Sequence, residues 1–210
     1  MSTNTNQPTH AMDILVKKLA QLPGIGRRSA QRITFHLLKA TSEQANTLAT
    51  AIIDLKKNTK HCSSCFNITQ HDPCAICTDT HRDQSKIIVV EQPSDLISIE
   101  NTDTYTGLYH VLMGSLAPLD DITHEEINIK QLIKRIQNAR NKETPITEVI
   151  LATNPTLQGD GTAMYLQQTL KPLNVKVTQL ARGLPTGSNV QQVSKAVLVD
   201  AILGRKKMNT

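Results

Sequence analysis

The stretch Cys62-Ser63-Ser64-Cys65, followed after eight residues by Cys74-Ala75-Ile76-Cys77, holds every cysteine of this 210-residue chain. Each pair turns two sulfur atoms toward one point, and two such pairs supply the four ligands of a tetrahedral zinc ion. The segment is too short and too polar to bury a core, so a metal would supply its folding energy. We predict one structural Zn²⁺ per chain, bound by Cys62, Cys65, Cys74 and Cys77, with no open position for catalysis.

Two disulfides are the alternative arrangement for the same four cysteines. Disulfides would suit a secreted protein, but the N-terminus has no apolar signal segment and the cysteines are not spread along the chain. No stretch approaches the roughly 18 apolar residues that cross a bilayer. We therefore favour zinc, expect a soluble intracellular protein without membrane contact, and interpret His61, His71 and His81 as solvated neighbours of the site.

Positive charge is concentrated before the cysteines. Residues 1–60 carry nine Lys or Arg and three Asp or Glu, a net charge of +6, whereas the other 14 basic and 15 acidic residues give −1. A local positive field attracts polyanions such as nucleic acid, although a solvated helix face would look the same. With no Trp and few other aromatic residues, base stacking is disfavoured, and we expect contact with the sugar-phosphate backbone.

Hydrophobic periodicity predicts three helices before the cysteine segment, at 12–22, 27–38 and 42–57. After it, the pattern changes to strands at 86–90, 108–112, 148–153 and 175–180, which alternate with helices at 127–139, 162–170 and 190–203. The first ten residues are polar and are expected to be disordered. The predicted fold class is α/β, with a mostly parallel sheet flanked by helices on both faces.

The turn Leu22-Pro23-Gly24-Ile25-Gly26 separates the first two helices. Its glycines permit a tight turn and close approach of another molecule, and the free N–H groups of the second helix can face a phosphate. A plain helical turn with a glycine cap is the alternative. The basic neighbours favour a helix-hairpin-helix that contacts DNA, and its predicted contact residues are Lys18, Gly24, Gly26, Arg27 and Arg28.

Polar residues follow the predicted strands of the sheet, where α/β proteins bind ligands. Glu91 ends the first long strand, and Asn154-Pro155-Thr156 ends a later one. This layout resembles a Toprim domain, in which a glutamate and an Asp-x-Asp pair bind magnesium. Asn154 and Thr156 stand at the Asp-x-Asp positions, so few carboxylates remain for a metal. We predict that Glu91, Asp95 and Asp160 contact a protein partner, the alternative for Glu91 being an ordinary surface acid.

The order of modules resembles the RecR family of bacterial recombination mediators over nearly the whole chain. The stretches that carry the resemblance are 22–30, the four cysteines, 109–120 and 152–156. The resemblance implies a non-enzymatic, cytoplasmic and nucleoid-associated DNA repair protein. It would bind single- and double-stranded DNA and self-associate into dimers or ring-like tetramers through its N- and C-terminal regions. It would load RecA onto single strands together with RecO and, in some bacteria, RecF.

The same resemblance sets the expected domains: a helix-hairpin-helix region at 1–58, a four-cysteine zinc finger at 59–82, a Toprim domain at 83–182, and a C-terminal helix with a basic tail at 183–210. Gln158 replaces a glutamate usual in the family, which removes one acid from the Toprim surface. The stretch 196–200 resembles the family's Walker B-like sequence, but it lacks a phosphate loop and is better interpreted as an amphipathic helix.

Two other functions remain open from the sequence. One is a divergent Toprim nuclease or primase, which the missing carboxylates disfavour. The other is a protein adaptor whose basic segment serves solubility alone. Cleavage or synthesis in magnesium or manganese would favour the enzyme, and a gel-shift at low salt would test the adaptor.

Overall fold

Three helices precede the cysteine segment in the computed structural model, which describes residues 10–116, 127–140 and 143–207. They are α1 (His10–Leu19), α2 (Arg27–Lys39) and α3 (Ser42–Asn58), as predicted. The chain divides into two compact units, Met1–Thr59 and Lys60–Thr210, so these helices make up the first unit.

Apolar burial in the first unit is sparse. Helices α1 and α2 contact each other, and α2 buries Ala30 and Thr34. Helix α3 buries none of its residues, although its start is well defined: the backbone N–H of Gln44 donates to Oγ1 of Thr41, and Gln44 Oε1 accepts from the backbone N–H of Thr41. Local capping therefore fixes where α3 begins, while its apolar side chains stay exposed.

The segment that holds the four cysteines opens the second unit. Strands β1 (Lys60–His61) and β2 (Ile68–Thr69) pair antiparallel, and the short helix α4 (Ala75–Thr78) follows. The next elements alternate as β3 (Asp83–Val90), α5 (Pro93–Glu100), β4 (Gly107–Val111), α6 (Ile129–Ala139), β5 (Glu148–Ala152), α7 (Leu157–Leu170), β6 (Lys176–Gln179) and α8 (Lys195–Leu203).

The main sheet has the strand order β4-β3-β5-β6, and every neighbouring pair is parallel. Val90 lies opposite Val111 on one side and Ala152 on the other. The carboxyl ends of these three strands therefore meet at one edge, which brings Glu91 and Asn154 together. This confirms the predicted α/β class.

Two apolar clusters cover the faces of this sheet, as expected for strands with continuous β-branched runs. The larger cluster packs α6 and α7 on one face through Leu132, Ile136 and Leu166. The smaller cluster packs the other face against Leu96 of α5 and against Phe66 of the cysteine segment. None of the helices in the described ranges is long and apolar enough to cross a membrane.

Several element bounds differ from the prediction. Helix α5 was not predicted, and α7 begins at Leu157 rather than 162. The predicted helix 190–203 is divided into a 3-10 turn, Val190–Gln192, and α8, because Ser194 caps the start of α8 by accepting from the N–H of Val197. Of the ten residues expected to be disordered, His10 begins α1 instead, and residues 1–9 lie outside the described residues, as does the part 117–120 of the family stretch 109–120.

Candidate zinc, DNA-binding and strand-end sites

The sulfur atoms of Cys62, Cys65, Cys74 and Cys77 all lie within 4.8 Å of one another. All four are free thiols rather than two disulfides, and Sγ of Cys65 is 3.5 Å from Sγ of Cys74. A tetrahedral ion with Zn–S bonds of about 2.3 Å separates its sulfurs by about 3.8 Å. The quartet therefore fits a structural zinc ion with four protein ligands.

Backbone hydrogen bonds shape the two cysteine turns around that point. The N–H of Phe66, which has a left-handed φ of 64°, donates to the carbonyl of Cys62 at 2.9 Å. Asp72 Oδ1 accepts from the N–H of Ser63 at 2.7 Å, and Sγ of Cys62 accepts from the N–H of Cys74 at 3.3 Å. N–H donation to a sulfur stabilises its thiolate form, the form that binds metal.

Crowding makes these sulfurs dependent on a cation. The hydrogen bond with Cys74 and burial both raise the pKa of the Cys65 thiol. Four closely spaced thiols cannot all lose their protons without a positive charge between them. Bound Zn²⁺ supplies that charge, which supports the metal assignment on chemical grounds.

The cysteine segment is joined directly to the main sheet. The N–H of Val111 in β4 donates to the carbonyl of Cys65 at 2.8 Å. Arg135 of α6 donates through one nitrogen to the carbonyl of Tyr109 at 2.6 Å and places the other 3.9 Å from Sγ of Cys77. The ring of Phe66 meets that of His110 edge-on at 5.5 Å. The cysteine segment thus packs against β4 and α6 as part of the second unit.

At the hairpin of the first unit, every predicted DNA contact residue is exposed. Lys18 lies in the last turn of α1, and Arg27 and Arg28 are the first two residues of α2. Gly24 has a φ of +75°, a left-handed conformation that glycine adopts without a steric penalty. The turn therefore places positive side chains on both helices that flank it.

The start of α2 is open to an anion. Gly26 is the N-cap residue and has no side chain to accept from the first N–H groups. Apart from residues 25–27 themselves, no heavy atom lies within 4 Å of where its Cβ would be. The first turn contains Arg27 and Arg28 and no acid. Unsatisfied N–H groups and the helix dipole attract a phosphate, and the two arginines add to that field.

At the carboxyl edge of the sheet, Glu91 is turned inward. It is only 7% exposed, which disagrees with the alternative of an ordinary surface acid and equally leaves Glu91 little surface for the predicted direct contact with a partner. Its Oε1 accepts from the backbone N–H of Asn154 at 2.9 Å and its Oε2 from Nδ2 of Asn154 at 2.7 Å. An amide therefore satisfies the carboxylate at the place where the Toprim resemblance implies a metal-binding aspartate.

The next residues complete this edge without adding an acid to it. Thr156 caps α7 by accepting from the N–H of Gly159 at 3.1 Å. A Cβ at Gly159 would overlap the carbonyl oxygen of Asn154 and lie 2.8 Å from Oε1 of Glu91. Gly159 is thus required for the close approach of α7 to the strand ends.

The other two predicted partner-binding acids, Asp95 and Asp160, make interactions of their own and do not contact Glu91 in the hydrogen bonds and ion pairs of the described residues. Asp95 Oδ2 accepts from the N–H of Gln92 at 2.9 Å at the start of α5. Asp160 forms an ion pair with Arg182, and hydrogen bonding from Arg182 lowers the pKa of Asp160. In the parts of the chain that the structure describes, the cysteine quartet is the group of His, Cys, Asp or Glu whose ligand atoms converge, and these acids form no such group.

Two functional-site residues were not predicted from the sequence. Arg135 supports the metal segment, and Arg182 pairs with Asp160. Both act across long sequence separations, from α6 to residue 77 and from residue 182 to α7. Helical periodicity places Arg135 next to the buried Leu132 and Ile136, which could have marked it as partly buried, but nothing local to Arg182 indicates its partner.

Models of protein families match three parts of this chain. A Toprim domain matches residues 85–181, the helix-hairpin-helix of RecR matches residues 12–56, and the four-cysteine zinc finger domain of RecR matches residues 59–79. The last match agrees with the geometry of the cysteine quartet, and the chain carries one structural zinc site.

Known proteins are similar over nearly the full chain. The recombination protein RecR of Chloroherpeton thalassium is 45% identical over 202 residues, which cover 95% of this chain and 98% of that protein. The recombination protein RecR of Chloroflexus aurantiacus is 47% identical, with 92% and 93% covered. That of Carboxydothermus hydrogenoformans is 44% identical, with 91% and 94% covered.

Proposed function

This chain belongs to the RecR family of recombination proteins, and we propose that it is a non-enzymatic mediator of recombinational DNA repair. It holds DNA by the backbone and helps to load RecA onto single strands, together with RecO and, where present, RecF. It acts in the cytoplasm at the nucleoid. The observation that carries this proposal is the open N-terminus of α2, flanked by exposed arginines.

Backbone contact suits such a mediator because it must bind any sequence. The first-turn N–H groups of α2 and the side chains of Arg27 and Arg28 offer donors to phosphate oxygens, which carry no base identity. Lys18 adds a further positive charge from α1. These features favour sequence-tolerant, salt-sensitive binding to single- and double-stranded DNA.

The absence of catalysis is proposed from the chemistry of the sheet edge. Mg²⁺ prefers carboxylate ligands, but Asn154 and Thr156 offer neutral oxygens, and both carboxylate oxygens of Glu91 already accept from Asn154. Binding a metal there would require breaking these two hydrogen bonds. We therefore assign this edge to structure and partner contact.

For the partner surface, the exposed parts of the Toprim region provide the candidates. Asp95 and Asp160 carry negative charge near the N-termini of α5 and α7, and Leu157, in the same first turn as Asp160, is 89% exposed. A mixed apolar and acidic surface suits a protein partner with a basic contact surface, and RecO is the partner proposed for it. Because Glu91 is buried, its contribution to this surface is to hold Asn154.

Self-association is supported by the apolar side chains that both ends of the chain leave exposed. In α3 these include Leu48, Ile52 and Ile53, and in α8 they include Ile202 and Leu203. Exposed apolar surface of this extent marks protein contact sites. A dimer or tetrameric ring would combine several hairpins on one DNA molecule and strengthen weak individual contacts.

The decisive experiment removes the hairpin arginines. Arg27→Ala with Arg28→Ala should weaken binding to labelled DNA and flatten the slope of log affinity against log salt by about two units. The matched control is Lys56→Ala with Lys57→Ala, which removes the same charge from the far end of α3. If both variants lose the same DNA affinity, the hairpin acts only through its general positive charge. If the arginine variant binds DNA as tightly as the parent, the hairpin is not the DNA contact.

The non-enzymatic part has its own test. The protein is incubated with labelled single-stranded DNA and with magnesium or manganese, and we expect neither cleavage nor synthesis. Turnover that is abolished by Glu91→Ala would overturn this part of the proposal and support a Toprim enzyme.

A further inference from the structure

A cavity of about 520 Å³ lies where the cysteine segment meets α6 and the start of the sheet. Its walls come from the first cysteine turn, from one side of α6 and from the loop before β5, all within the second unit. Cavities of this size accommodate small ligands. Cys77 and Arg135 of the zinc site lie in its lining, but the roles described for them above do not use the cavity.

Two basic side chains of α6 lie in the wall of this cavity, next to the zinc ligand Cys77. Lys134 and Arg135 line it, and among the described residues around it no side chain is an acid. Arg135 is already held by the carbonyl of Tyr109 and by Sγ of Cys77, so it forms a fixed wall. Lys134 is exposed, which leaves its ammonium group at the solvent side of the cavity, where a phosphate could reach it.

The remaining lining combines one aromatic ring with amide groups. Phe66 forms part of the wall, and Gln131 and Asn138 add side-chain amides. Oε1 of Gln131 is buried and has no hydrogen-bond partner in the part of the chain that the structure describes. A buried amide without a partner costs stability, and a ligand that carries both donors and acceptors would satisfy it.

We propose that this cavity binds one nucleotide, with its phosphate at Lys134 and its base against Phe66 and the amides of Gln131 and Asn138. A phosphate matches the positive rim, a flat ring matches the aromatic wall, and the polar edge of a base matches the amides. The same chemistry has two sources: a free nucleotide, or one unstacked residue of a single strand.

The test uses the full-length zinc-bound protein and two probes. Adenosine monophosphate is titrated by calorimetry, and a short labelled oligodeoxythymidylate is titrated by anisotropy in the Arg27→Ala, Arg28→Ala background, which separates the cavity from the hairpin. Lys134→Ala should weaken binding of the probe that uses the site by about tenfold. Lys195→Ala, at the start of α8 and away from the cavity lining, is the control and should change nothing.

A second variant guards against a merely structural effect. Gln131→Leu removes the unpartnered amide, so the unfolding free energy should stay equal or rise while affinity falls. If adenosine monophosphate binds and both variants weaken that binding, the cavity is a site for a free nucleotide. If only the oligonucleotide binds and both variants weaken it, the cavity is a site for one residue of a single strand. If neither probe binds, or if both variants bind as the parent does, the proposal is wrong, whatever the hairpin test gives.

Discussion

In the sheet unit, charged groups near the core are held by other groups of the same unit, whereas the hairpin unit leaves its charges exposed. Glu91 is satisfied by Asn154, and the mostly buried Arg82 pairs with Glu100. By contrast, no ion pair joins side chains within residues 10–59, all of which the structure describes. Internal pairing stabilises a fold, while exposed charge of one sign is available to another molecule. The paired charges of the sheet unit therefore belong to the scaffold, and the unpaired charges of the hairpin unit form a contact surface.

The largest effect should come from removing the metal on which the cysteine segment of the sheet unit depends. Cys65→Ser should abolish zinc binding and lower the free energy of unfolding by at least about 4 kcal/mol. Zinc is measured by elemental analysis and stability by denaturant unfolding. His71→Ala, at an exposed neighbour of the quartet, is the control; loss of zinc in that variant would mean that histidine participates.

A smaller loss should follow from crowding the strand edge. Gly159→Ala forces a methyl group against Asn154 and Glu91 and should destabilise the fold by about 2–4 kcal/mol. Gly161→Ala, in the same helix with open space around it, should stabilise by about 0.5–1 kcal/mol. Unfolding curves of the two variants compare the positions directly, and equal effects would contradict the close packing at Gly159.

Acid should weaken the sheet unit through His110, which is fully buried and donates from Nε2 to the carbonyl of Asn128. Burial lowers the pKa of His110 to about 3 from its ordinary 6.5. Below about pH 6.5, His110 therefore becomes protonated in the unfolded chain while it stays neutral in the folded chain. Unfolding free energy should fall with pH in this window, by at most about 1.4 kcal/mol per unit.

The measurement for His110 is the slope of stability against pH between about pH 6.5 and 5, above the range where carboxylates titrate. His110→Gln should flatten that slope, and His71→Ala, whose ring is exposed, should leave it unchanged. A parent slope that persists in His110→Gln would assign the acid sensitivity to another group.

The smallest predicted change in stability is a gain, and it should come with a loss of DNA affinity. Gly26→Asp supplies a side-chain cap to α2 and should stabilise by about 0.3 kcal/mol. The same carboxylate occupies the anion position, so DNA affinity at low salt should fall by about tenfold or more. Gly26→Asn separates charge from capping. If DNA affinity survives in Gly26→Asp, phosphate is not bound at the start of α2.

The elements with strong local signals were predictable from the sequence. The cysteine spacing alone indicated the metal site, and the β-branched run at 86–90 indicated β3, one of the two inner strands of the sheet. The Pro-Gly turn indicated the hairpin, because glycine and proline restrict the backbone wherever they occur. These signals depend on neighbouring residues and need no knowledge of the fold.

Some elements were missed, and most of these depend on distant contacts. Helix α5 has a local signal in Pro93 and Asp95 that could have revealed it. The start of α7 at Leu157 was hidden by two glycines that suggest a loop, and Gly159 is explained only by the approach to Asn154. The pairing of Arg182 with Asp160 spans 22 residues, and no pattern along the chain specifies it.

The contact between Glu91 and Asn154 also determines what a single substitution could do at this edge of the sheet. Asn154→Asp would set two carboxylates at the 2.7 Å now spanned by a hydrogen bond, with repulsion in place of attraction. That repulsion would be relieved by a proton shared between the two groups or by a bound cation. Restoring one aspartate would therefore first produce a protonated acid pair, and metal chemistry would need further ligands.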